Sequence, residues 1–177
     1  MKKIAECQLQ RNLATASSVL LGIILGFVNL HLRFDFQAWY WLLLDLCIAL
    51  LLVVFLHEGT HALIAKMLHH HPVFGIKLPL VYITFNHKLP KWHFIAIALG
   101  PFVLLTLLFA TLYNILGSSA PNLTLIALLA LELNILGAIG DLWMVARILL
   151  FPAIAQVQDT KSGFEVWIPE KTERVGH

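Results

Sequence analysis

The chain has 177 residues and a mass of 19.9 kDa; 59% of its positions are hydrophobic, only 12% are Asp, Glu, Lys or Arg, and the mean hydropathy is +0.83. A domain this small must turn much of its area outward, and so few charges do not cover that area, which excludes an ordinary water-soluble globule and makes lipid the expected solvent. Twelve basic against ten acidic residues, a net charge of +2, is too sparse and too balanced for a nucleic-acid footprint.

A bilayer core asks for about 20 apolar residues per helix, and about four runs meet that length: Thr15 to Leu32, Ala38 to Leu68, His93 to Leu116 and Leu123 to Phe151. The first is followed by HLRFDF rather than by a small-residue cleavage site, so it reads as a retained anchor and not as a signal peptide. Lys2, Lys3 and Arg11 precede the first run, Lys77, Lys88 and Lys91 lie between the second and third, and Arg147, Lys161, Lys171 and Arg174 lie at or after the end of the fourth. The opposite side offers only Arg33, so the charge bias predicts both termini in the cytoplasm. Two cysteines in unlike surroundings, Cys7 in a polar leader and Cys47 in an apolar run, argue against a disulfide framework and read as free thiols.

Two stretches break the helical pattern. Val73 to Phe85, rich in β-branched and aromatic residues and interrupted by Gly75 and Pro79, predicts a short hairpin at the membrane surface. In the tail, IAQVQD and FEVWIP flank the turn-like TKSG and predict a second hairpin. The expected fold class is therefore mainly α: a polytopic membrane protein of about four transmembrane helices with short β-hairpins on the cytoplasmic side. It forms one membrane domain over 1–177, with a helical core over 12–152, a hairpin insert over 73–89 and a tail over 153–177.

Near the inner end of the second run stands His57-Glu58-Gly59-Thr60-His61, an HExxH pattern. Spacing of i and i+4 on a helix puts both imidazoles on one face, able to share a metal ion, and Glu58 beside the first of them can reach a water at that ion. At this chain's His and Glu content the pattern arises by chance roughly 0.015 times per chain of this length, and ionisable groups inside an apolar span need a compensating partner. Metal binding provides one.

Catalytic zinc normally takes three protein ligands and a water, so a third is needed. At a rise of about 1.5 Å per residue, His57 and Asp141 lie at matching depths from the outer starts of their helices, ~28 and ~27 Å. Asn134, seven residues before Asp141, lies within about 20° of the same helix face, and Gly137 and Gly140 are expected to let a neighbouring helix approach. Asp141 is thus the expected third ligand, and Asn134 a substrate or outer-sphere hydrogen-bonding group. Glu132 points to the opposite side and further out, at a depth like that of Asp45, so the two are expected to pair with each other or reach water and not to ligate the ion held by His57. His69, His70 and His71 read as a solvated turn; His87 and His93 flank the hairpin without a role the sequence assigns.

HEGTH at the inner end of an apolar span, ALGPF from Ala98 to Phe102 opening another, and Asn134 seven residues before Asp141 resemble the site-2-protease class of intramembrane zinc metalloproteases. The short chain and the Gly140-Asp141 pair look, more closely, like a group of small bacterial membrane proteins described as putative zincin peptidases. The resemblance covers roughly His57 to Pro169. It implies zinc ligation by His57, His61 and Asp141, the last matching the aspartate of a leucine-aspartate-glycine motif, with Glu58 as the catalytic acid/base and Asn134 as the preceding asparagine. This chain differs in having Leu142 after Asp141, no prolines between Asn134 and Asp141, and no asparagine after Gly100-Pro101.

The function expected is that of a zinc metalloendopeptidase of the plasma membrane of a bacterium, with Zn2+ as cofactor, hydrolysing membrane-bound or membrane-adjacent polypeptides near the cytoplasmic face. Its partners are the lipid bilayer and a peptide or protein substrate. Two readings from other classes stand beside it: a metal transporter or sensor, which would usually show paired repeats with ligands near the midplane, and a peptidase-like scaffold that does not cleave.

Overall fold

A computed structural model describes residues 1–8, 17–23, 25–26, 39–77, 80–160 and 163–169 of the chain. Among these residues three helices are long and apolar enough to cross a membrane: Tyr40–Met67, Lys91–Leu116 and Pro121–Leu149. They correspond to the second, third and fourth runs of the sequence. The expected first span falls partly outside the described residues, which are helical over 17–23 and 25–26.

Helix α1 (Trp39–Met67) and helix α2 (Lys91–Leu116) run antiparallel, and the last span divides into α3 (Pro121–Gly137) and α4 (Ile139–Leu149) at Ala138. Pro121 begins α3 where its missing N–H costs nothing. The outward faces of α1 and α2 carry Leu44, Leu51, Phe55, Leu107 and Ile115 exposed, the hydrocarbon-facing surface expected when all backbone polar groups are satisfied inside the helices.

The inward contacts divide into two clusters. Toward the start of α1, Ala49 and Ala130 are fully buried beside Val53, Leu105 and Phe109, small residues that let helices approach where no hydrophobic force drives them together. At the other end, Phe94, Ile97 and Ala98 of α2 pack with Val145 and Ile148 of α4 and with the strands beyond. Closest approach falls at Gly100, where a Cβ would run into Ile64 Cδ1 of α1. Gly137 and Gly140, expected to serve that purpose, have nothing within 4 Å of such a Cβ. Close approach is set by which face a neighbour covers, and among the described residues no neighbour covers the face that carries these two glycines.

Both predicted hairpins form. Strands β2 (Val73–Lys77) and β3 (Leu80–Thr84) pair antiparallel in register Phe74↔Ile83 and Gly75↔Tyr82. Strands β5 (Gln156–Thr160) and β6 (Gly163–Ile168) form the tail hairpin, flanked by two strands that pattern reading missed. One is β4 (Leu89–Pro90), a short edge piece that also ends the loop before α2. The other is β1 (Lys2–Gln8), which makes the so-called leader the outer strand of a sheet ordered β1-β6-β5-β4. The sheet caps the end of the helices, with Val157, Phe164 and Val166 fully buried beneath it. Lys91 fastens this cap: its buried ammonium donates to Leu149 O at 3.1 Å and Phe151 O at 2.5 Å, carbonyls at the end of α4 that the helix leaves unpaired.

Candidate metal centre

The HExxH residues lie on α1 where it passes α2 and the α3–α4 break. His57 and His61 are one turn apart with ring centroids 4.9 Å from each other, and both are buried, at 8% and 9% exposure. Each Nε2 meets the same carboxylate oxygen: Asp141 Oδ2 lies 3.1 Å from His57 Nε2 and 3.5 Å from His61 Nε2. One ligand atom from each of the three residues lies within 4.8 Å of the others. Asp45 and Glu132 are not among the three residues that converge.

The other ring nitrogens fix the tautomers. His61 Nδ1–H donates to Ile97 O at 2.7 Å. That carbonyl is available because Pro101, four residues on, has no N–H to return to it. His57 Nδ1 lies 3.2 Å from Asn134 Oδ1, and the amide is oriented because its Nδ2 donates to Pro101 O at 3.3 Å and Thr106 Oγ1 at 3.2 Å. The amide oxygen therefore faces the ring, and His57 carries its proton on Nδ1. With Nδ1 protonated, each neutral imidazole presents its Nε2 lone pair toward the Asp141 carboxylate.

Three electron-pair donors converging on one point could hold a cation. Separations of 3.1 and 3.5 Å bracket the roughly 3.3 Å between ligands of a tetrahedral ion with bonds of about 2.0–2.1 Å. Two nitrogens and one oxygen, each imidazole held by an outer hydrogen bond, suit zinc. Asn134, completely buried, touches the far side of His57 and not the converging atoms. Of the two roles expected for it, the geometry favours orienting the ligand.

Glu58 is half-buried beside His57 and within electrostatic range of His57, His61 and Asp141. Thr60 turns its hydroxyl back to Leu56 O at 2.7 Å and takes no part. Arg147 lies over the Trp143 ring, 5.9 Å from its centroid.

Sequence reasoning missed Ile97, whose contribution is a backbone carbonyl, and Asp159 at the end of β5. Asp159 bonds to Thr84 of β3, joining the two sheets, and lies within electrostatic range of Asp141. Burial, reinforced by the Asp141 charge and opposed by the Thr84 hydrogen bond, pushes its carboxyl up to about 6. Neither residue carries a motif that would have announced it.

Residues 50–155 of the chain match the family described as "Putative zincin peptidase", a segment running from the middle of α1 to the residue before β5. The chain belongs to this family. The match contains His57, Glu58, His61, Asn134 and Asp141, so all the residues of the cluster lie within the family's own domain. A comparison with curated proteins and with solved structures returns no match.

Proposed function

We propose that the protein is a membrane-embedded zinc metalloendopeptidase, related to the site-2-protease class, that hydrolyses peptide bonds of membrane-bound or membrane-adjacent polypeptides. The observation that carries this reading is the convergence of His57 Nε2, His61 Nε2 and Asp141 Oδ2 on one point, with Glu58 beside it, inside a group of apolar helices. His57, His61 and Asp141 would hold zinc. Bound there, zinc would supply Lewis acidity for the scissile carbonyl and lower the pKa of a water from about 15.7 toward 7.

Glu58 is the proton carrier: it takes a proton from the attacking water and delivers it to the leaving amine. Asn134 and the Ile97 carbonyl keep the two imidazoles in the tautomer that donates lone pairs inward. The substrate must be extended for its carbonyl to reach the site, and β3 offers a strand edge beside α1 for backbone pairing. The sheet end carries Lys3, Lys88 and Lys91, positive charge that supports a site near the cytoplasmic face. A transporter is disfavoured because the sequence shows no pair of repeated halves.

The test is Glu58→Gln in purified protein supplied with a single-span substrate. Zinc content stays at the wild-type level while cleavage falls by about 10²–10⁴-fold. A variant that cleaves like wild type removes the hydrolytic role from Glu58, and His57→Ala or Asp141→Ala protein that binds as many equivalents of zinc as wild type removes that residue from the site.

A further inference from the structure

A second group of imidazoles stands apart from the first, at the sheet end of the helices. His70 follows α1, His87 lies in the turn after β3, and His93 lies in the first turn of α2. His70 Nδ1 is 3.1 Å from His87 Nε2, and His70 Nε2 is 2.8 Å from His93 Nδ1. The ring centroids are 5.2 and 5.1 Å apart, close to the 4.9 Å of the His57–His61 pair. Rings that share a tetrahedral ion through bonds of about 2.0–2.1 Å have centroids roughly 5 Å apart.

The backbone is bent to make this meeting. Helix α1 ends in a Schellman turn, with His70 N–H on Ala65 O at 2.8 Å and His69 N–H on Lys66 O at 3.0 Å. The left-handed position of that turn, ordinarily glycine or asparagine, is His69 at φ 61°. A non-glycine residue there is strained, and the turn delivers the next residue, His70, between His87 and His93.

We propose that His70, His87 and His93 form a second metal site, selective for a divalent ion of the zinc–copper–nickel group. The donors are imidazole nitrogens with no carboxylate among them, a set that disfavours magnesium and calcium. His70 and His93 are half-buried and His87 is exposed. An ion on His70 Nε2 and His93 Nδ1 replaces the hydrogen bond between them. His87, which now faces the other nitrogen of His70, completes the set by rotating on its exposed turn. Occupancy ties the end of α1, the base of the β2–β3 hairpin and the start of α2 together. His93 is one turn before Ile97, whose carbonyl holds His61, so the ion also steadies the helix that orients the first site. This proposal does not depend on the peptidase reading.

The test is zinc stoichiometry of tag-free, full-length protein in detergent at pH 7.5, with Co2+ absorption as a second readout of tetrahedral ligation. Wild type takes up two equivalents. The double variant His57→Ala/His61→Ala retains one, and His70→Asn/His93→Asn in the wild-type background also retains one. His87→Gln alone weakens the second equivalent by about 10-fold or more while the protein keeps its elution volume and the first equivalent. The proposal is overturned if His57→Ala/His61→Ala binds no zinc, or if its remaining equivalent survives His70→Asn/His93→Asn. One equivalent lost with His93 but kept without His57 and His61 would leave this site standing and defeat the first.

Discussion

At the scale of single residues, the first site depends on proton placement. A histidine offers a lone pair on one nitrogen only when the other nitrogen has somewhere to put its hydrogen. Asn134 performs that service for His57, and its own orientation is set by Pro101 O and Thr106 Oγ1. Asn134→Ala should therefore lower zinc affinity by about 10–100-fold without removing a ligand, as read by competition against a chelator of known affinity. Asp159 makes a different prediction. Its folded pKa is raised from the ordinary 3.8 to about 6, so the stability it contributes is full below pH ~4 and is lost as pH rises through about 6. Asp159→Asn escapes that loss: it should be more thermostable than wild type at pH 7.5 by on the order of 1–3 kcal/mol, with the advantage fading toward pH 4. A constant difference across that range would show that the Asp159 carboxyl is not held neutral by its surroundings.

At the scale of elements, the departure from regular helix is what serves the site. Pro101 inside α2 forgoes a backbone hydrogen bond, and the carbonyl it leaves, Ile97 O, takes the His61 N–H at 2.7 Å. Restoring the N–H with Pro101→Ala should stabilise the helix yet loosen His61, raising the unfolding temperature while weakening zinc binding by a few-fold to about 10-fold. If both fall together, the proline is only a packing residue. The interruption of the last span at Ala138 works in the same direction. It lies between Asn134 and Asp141, which approach opposite sides of the His57 ring, Nδ1 and Nε2. Two turns of helix, about 10.5 Å of rise, separate the two residues along the span, so they meet the ring at its two ends.

At the scale of the whole molecule, the two chain ends are closed into one sheet. Strand β1 pairs with β6 from Lys2↔Ile168 to Gln8↔Gly163, and Lys3 lies 2.6 Å from both Glu6 and Glu165. The pairing needs a glycine at 163, because a Cβ there would strike the Cys7 carbonyl. Gly163→Ala should release β1, so that amides of residues 3–8 exchange with deuterium at least about 10-fold faster while those of α2 keep their protection. Equal protection in the variant would mean that the backbone shifts to accommodate the methyl group.

How much of this the sequence disclosed follows from the range of the forces involved. Apolar runs, hairpin patterns and the paired imidazoles are local: each repeats over a helical turn or a strand, so α1, α2, the last span, both hairpins and the His57–His61 face were legible, and matching depth led to Asp141. The contacts that only the tertiary structure decided have no periodic signature. Among them are the Ile97 carbonyl 36 residues from His61, the joining of β1 to β6 across the length of the chain, and the meeting of His70, read as part of a solvated turn, with two histidines that flank a hairpin. Composition fixes the solvent in which a chain folds, and periodicity fixes which face of an element is apolar. Which lone pair meets which hydrogen is decided only when distant segments pack, because a hydrogen bond depends on tenths of an ångström that no spacing in the sequence encodes.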